Sequence, residues 1–131
     1  MLDDLHNFDN YDTDRKNSID RCLSSISLMQ YPDIMDKLSN LTGNLILSGA
    51  FYYDKDGRMG WHTNFNNRVN DKRIYFTHND DAGSEFLYRQ DGEIKKLYEP
   101  AGWSVKMFDV SSIFWHAVIS KANRYSFGFR C

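Results

Sequence analysis

At 131 residues the chain is long enough for one domain with its own core, and a formal net charge of −2 gives no large field to draw nucleic acid or a membrane surface. Nine Phe, eight Tyr and three Trp favour a sheet-rich interior, because aromatic rings pack well on pleated faces. No apolar run approaches membrane length, Met1-Leu2-Asp3-Asp4 is too acidic for a signal peptide, and the two distant cysteines, Cys22 and Cys131, fit a reducing cytoplasm better than a disulfide.

In chain order, the first ten or so residues are acidic and Asn-rich and predict an irregular arm. From Thr13 to Met29, Ile19, Cys22, Leu23 and Ile26 recur at helical spacing and predict a helix with one packed face. Pro32 suits the first turn of a second helix with the apolar stripe Ile34, Met35, Leu38 and Leu41, and Gly43 suits its left-handed cap. After Gly43 the texture becomes extended. Strands are predicted over Asn44–Tyr53, Met59–Asn64, Arg73–His78, Glu85–Tyr88, Ile94–Tyr98, Val105–Val110, Phe114–Ser120 and Arg124–Cys131. Asp54-Lys55-Asp56-Gly57, Asn79 to Gly83, Gln90-Asp91-Gly92 and Glu99-Pro100-Ala101-Gly102 carry turn chemistry between them, and Ser120 to Asn123 reads as a hairpin turn. Eight short strands with regular turns imply a sandwich or barrel. The expected organisation is a single domain over 1–131, with helical N-terminal support over 1–43 and a β core over 44–131.

The chemistry-bearing residues concentrate near the end of the chain. His116 sits in the apolar run Phe114-Trp115-His116-Ala117-Val118-Ile119, and Arg124 opens the next strand eight residues later. A buried imidazole and a buried guanidinium each need a partner; a metal for the first and an anionic ligand for the second would serve. The candidate second ligand is His62, in Gly60-Trp61-His62-Thr63-Asn64. Imidazole suits iron, zinc, copper or nickel, so two histidines alone do not choose the metal. The plainer alternative makes His62 a surface residue, His116 a hydrogen-bonded core residue and Arg124 the cap of a solvated edge. Strand alternation puts Arg124, Ser126, Gly128 and Arg130 on one face and Tyr125, Phe127 and Phe129 on the other, so the first set can form a polar pocket wall. A planar guanidinium binds a carboxylate through two parallel hydrogen bonds, and a neighbouring hydroxyl can add a third.

His62-Thr63-Asn64, then His116, then Arg124-Tyr125-Ser126 resembles the Fe(II)/2-oxoglutarate-dependent oxygenase superfamily. The resemblance extends over Arg73-Ile74-Tyr75-Phe76, Gly83-Ser84-Glu85-Phe86 and the run from Pro100 to Phe108, and covers about Asn44 to Arg130. It implies a mainly β fold: a double-stranded β-helix, or cupin-like jelly roll, with the two helices packed on the sheet. It further implies that His62 and His116 ligate Fe(II), and that Arg124, helped by Ser126, holds the distal carboxylate of 2-oxoglutarate. Tyr75 would be a further cofactor contact and Arg130 a contact to substrate or cofactor. The reaction class it implies is hydroxylation of a small-molecule or peptide substrate, coupled to conversion of 2-oxoglutarate to succinate and carbon dioxide.

The departure is Asn64, where the family carries a carboxylate ligand. Asn64 can act as a neutral third metal ligand, a carboxylate such as Glu85 or Asp80 can replace it, halide can take the position, or the fold can bind ligand without oxidising it. Two other readings stay open: a cupin-like metalloprotein that does not use 2-oxoglutarate, and a non-catalytic jelly-roll binding module. Trp61 and Trp115 point away from the histidines by alternation, His6 and His78 have no assigned role, and Asn66 to Lys72 is polar enough for a loop that shapes substrate access. Membrane and nucleic-acid partners are disfavoured; oligomeric state is open.

Overall fold

The computed structural model describes residues 21–43, 45–63, 72–109 and 114–130, with side chains from Leu23 onward. Its elements are β1 (Arg21–Ser25), a one-turn 3₁₀ helix (Leu28–Gln30), α1 (Pro32–Thr42), β2 (Ile46–His62), β3 (Lys72–Asn79), β4 (Glu85–Gln90), β5 (Glu93–Tyr98), β6 (Gly102–Asp109), β7 (His116–Ile119) and β8 (Arg124–Arg130). The fold is mainly β, as expected, but among the described residues it carries one α-helix and not two. Residues 13–20 of the first expected helix lie outside the described set. Arg21–Ser25 pair as a strand with β2, joining Leu23 to Tyr53 and Ser25 to Phe51. A segment rich in serine has little intrinsic helical preference, and an open strand edge beside it supplies a ladder instead.

α1 forms as its punctuation predicts. Pro32 enters at the first turn, where its missing N–H costs nothing, and Gly43 ends the helix at φ 59° with its N–H on the Ser39 carbonyl. Its packed face is narrower than the sequence stripe: Leu38 is buried and Ile34 packs beside it, while Leu41 is exposed. They cover Ala50, Phe127 and Phe129, and a fully buried Phe127 contributes about 1.5–3 kcal/mol.

The sheet is one curled antiparallel surface built around β2, whose 17 residues span two predicted strands. Asp54-Lys55-Asp56-Gly57 does not turn the chain back. It forms an irregularity in a continuing strand, with Asp56 at φ 68°, its N–H on the Ser120 carbonyl, and the Ser120 N–H on the Gly57 carbonyl. Before it, β2 pairs with β8; after it, with β7. The expected β7–β8 hairpin is therefore absent. The two strands lie end to end along one edge of β2, opposite β1, and the polar link between them follows the irregularity in β2. Two limbs diverge from there, one in the order β2-β8-β3-β6 and the other in the order β2-β7-β4-β5. Their inner faces enclose a cavity. Among the described residues no helix is long and apolar enough to cross a membrane.

Candidate functional site

His62 and His116 stand directly opposite each other on β2 and β7, with ring centroids 4.1 Å apart. A register shift between Met59 and His62 makes this possible. Simple alternation from Met59 would turn Trp61 inward; the extra residue instead brings His62 to the cavity with Met59 and sends Trp61 into a core with Leu87, Ala117 and Ile119. Each ring engages a backbone carbonyl two residues upstream: Nδ1 of His62 lies 2.7 Å from the Gly60 oxygen and Nδ1 of His116 lies 3.1 Å from the Phe114 oxygen. A carbonyl only accepts, so both Nδ1 atoms carry the hydrogen and both Nε2 atoms are acceptors. His116 is packed among the rings of Phe86, Phe108 and Phe114. Burial, then the neighbouring His62, hold it well below the ordinary imidazole range, so it is neutral.

The other end of the cavity carries charge. Arg124 is 2% exposed and meets the buried carboxylate of Glu99 as a two-pronged pair, Nε to Oε1 at 2.7 Å and Nη2 to Oε2 at 2.9 Å. Lys106 Nζ also donates to Oε2, and Asn79 Nδ2 donates to Oε1 at 3.0 Å. The backbone of Glu99 is pinned by its N–H on the Ser84 carbonyl, and Ser84 Oγ donates to Asn79 Oδ1. Burial alone would raise the Glu99 carboxyl, but Arg124 and Lys106 more than reverse it and hold it well below the usual carboxylate range. Burial pushes the Lys106 ammonium down from its ordinary value, with Glu99 opposing. Nη1 of Arg124 is buried and has no partner.

Between these ends the cavity, about 430 Å³, is lined by Ser48, Gly49, Phe51, Arg73, Tyr75, Phe86 and Ser126 among others. Tyr75 stacks on Phe108 with centroids 5.2 Å apart and lies over Gly128, where a Cβ would come within 2.6 Å of its ring. Only a glycine leaves that ring its seat. Arg73 stands across the ladder from Arg130, and Nε of both and Nη2 of Arg130 are buried without a partner. Two like charges placed opposite each other are unfavourable until an anion joins them.

Of the expected site residues, His62, His116, Arg124, Ser126 and Tyr75 line one cavity. Asn64 lies outside the described residues, as do His6 and Asn66 to Asp71. Neither suggested replacement carboxylate reaches the histidines. Glu85 pairs in register with Ile119 on the face opposite His116 and meets Lys96 at 3.6 Å, and Asp80 accepts from Asn123. His78 packs against Trp103, away from Tyr75. Glu99 and Lys106 were not among the sequence candidates: the first reads as part of a turn, the second as an ordinary strand lysine. The one signal for them was the demand of a buried Arg124 for an anion, which the chain itself meets with Glu99.

Among the described residues no group of three His, Cys, Asp or Glu side chains converges. The two imidazoles are of a kind that suits a metal: both are held through Nδ1, and Nε2 is the nitrogen each would use as a ligand.

No protein-family model matches the sequence, and no curated protein matches it. Solved structures do. A 2OG-Fe(II) oxygenase family oxidoreductase from Burkholderia pseudomallei aligns at TM-score 0.51 and 16% identity, over 71% of this chain and 47% of that one. The chain thus spans about half the length of that relative (47%). An RmlC-like cupin protein from Desulfovibrio desulfuricans aligns at TM-score 0.48 and 12% identity over 89% of this chain and 87% of that one. OsALKBH1 aligns at TM-score 0.47 and 16% identity over 79% and 61%. In fold, then, this chain is similar to a 2OG-Fe(II) oxygenase family protein.

Proposed function

We propose that this chain is a double-stranded β-helix oxygenase that uses Fe(II) and 2-oxoglutarate to hydroxylate a small-molecule or peptide substrate. The observation that carries the reading is the meeting, in one cavity, of a histidine pair with paired acceptor nitrogens and a buried guanidinium with an unpartnered nitrogen. His62 and His116 would hold the metal, with Asn64 as the third ligand by its place in the sequence. Arg124, Lys106 and Ser126 bind and orient a carboxylate at the far end. Arg73, in the lining, offers a cationic group for a second carboxylate, so the cavity suits a diacid. Tyr75, seated on Gly128, forms the side wall between them. When bound, the metal and 2-oxo acid supply oxidising power; the protein supplies position and a lining poor in water.

Iron-dependent release of succinate from 2-oxoglutarate in air tests this reading. Release by the wild-type protein and its loss in His116→Ala and Arg124→Met support the oxygenase; a metal-loaded protein that forms no succinate contradicts it. One observation favours a second reading, a cupin-like metalloprotein without 2-oxoglutarate. Glu99 already gives Arg124 and Lys106 a counter-ion, so their burial does not depend on a bound acid. In that case metal binds and 2-oxoglutarate does not alter it.

A further inference from the structure

Glu99 accepts from four donors: Asn79 Nδ2, Arg124 Nε, Arg124 Nη2 and Lys106 Nζ. A carboxylate has about four lone-pair sites, so this one is saturated and has no bond left for a ligand. Its two cationic partners are not saturated. Arg124 keeps Nη1 unpartnered, and Lys106, which also donates to Thr77 Oγ1 at 3.4 Å, has a third hydrogen to give. Both side chains line the cavity while Glu99 lies behind them. With Arg and Lys each positive and Glu negative, the cluster carries one net positive charge. Water is largely excluded, since Arg124 is 2% and Glu99 2% exposed, so a mismatched charge would be poorly screened.

We propose that Glu99 is the specificity-determining residue of this seat: it sets the net charge presented to the ligand at one unit and so selects an acid with a singly charged carboxylate tail. The assignment rests on the oxygenase reading for the identity of the acid, but not for the charge rule. A carboxylate neutralises the cluster. A phosphonate dianion would overfill it, and a carboxamide would leave the positive charge uncompensated. Glu99 also positions Arg124, since the two-pronged pair fixes the plane of the guanidinium.

The test is a calorimetric comparison, at a pH above the second ionisation of the phosphonate, of three 2-oxo acids in the presence of Mn(II): 2-oxoglutarate, its tail carboxamide, and the analogue with a phosphonate tail. The wild-type protein is expected to bind the carboxylate at least tenfold more tightly than either of the others. Glu99→Gln, which adds one positive unit to the seat, should shift the carboxylate-to-phosphonate ratio at least tenfold toward phosphonate. Glu99→Asp keeps the charge and retracts it by one methylene, so its ratio should stay within about threefold of wild type while both affinities fall. If Glu99→Gln proves unfolded by circular dichroism, Glu99→Asp decides. A folded Glu99→Gln with an unchanged ratio, or a Glu99→Asp with unchanged affinities or a ratio shifted to phosphonate, overturns the assignment. Glutarate and its phosphonate counterpart, titrated without metal, repeat the comparison outside the oxygenase reading. A switch there with no binding of any 2-oxo acid retains the role of Glu99 and removes the oxygenase; no switch there removes the role of Glu99 alone.

Discussion

The histidine end and the arginine end of the cavity both bury nitrogen away from water, and they do it in opposite ways. His62 and His116 are kept with acceptor nitrogens by backbone carbonyls, and His116 is neutral among aromatic rings. Arg124 and Lys106 stay charged because Glu99, fixed by Asn79 and by the backbone of Ser84, is buried with them. One end has lone pairs to offer a cation; the other has hydrogens to offer an anion. The lesson is that desolvation alone does not decide whether a buried group is charged. The partners supplied behind it decide.

The largest effect should come from breaking the charged end. Glu99→Ala leaves Arg124 and Lys106 buried without their counter-ion and should cost about 3–5 kcal/mol in urea unfolding. A cost near zero would mean that water reaches the cluster freely. At the neutral end, His116→Ala removes a proposed metal ligand and should weaken Mn(II) binding by roughly 100-fold or more, beyond the usual effect of losing a supporting contact. Because loss of the buried ring also leaves a cavity among Phe86, Phe108 and Phe114, stability should fall by about 2–4 kcal/mol as well. Unaltered metal affinity would make His116 a core residue and nothing more. Between the ends, Gly128→Ala pushes on Tyr75 and should cost about 1–3 kcal/mol of stability or displace the ring, weakening ligand binding without touching either charge set.

The smallest test uses pH, and the two ends should respond differently. The folded Glu99 carboxyl lies below its ordinary value of 4.5, so its contribution is complete above that pH and is lost as the medium is acidified toward the folded value. Chemical unfolding of the wild-type protein should therefore weaken progressively below pH 4.5, with a shallower decline in Glu99→Gln. The folded His116 pKa is also depressed, so its neutral burial opposes protonation: stability is complete above the ordinary imidazole value of 6.5 and falls below it. His116→Phe should flatten that upper segment of the profile and leave the lower one in place.

Much of this could be read from residue order. The alternation Arg124, Ser126, Gly128 against Tyr125, Phe127, Phe129 is the division between cavity and core in β8. Pro32 and Gly43 bracket α1 as their backbone preferences require. What order could not show was pairing at a distance. Asp54-Lys55-Asp56-Gly57 has the composition of a turn, yet the chain continues because β7 and β8 both find β2 as their partner. Leu23 and Ile26 have helical spacing, yet an open edge of β2 takes the segment as a strand. Glu99 was the hardest: a buried arginine demands an acid, but only the fold says which of the 18 acidic residues is carried to it.

Whether a metal and a small dicarboxylic acid meet between His62, His116 and Arg124 can be read by titrating 2-oxoglutarate into the protein with and without Mn(II). Saturable binding is expected that strengthens when metal is present and is lost in both His62→Ala and Arg124→Met. Metal binding that is indifferent to 2-oxoglutarate, or 2-oxoglutarate binding that survives loss of Arg124, would contradict that meeting.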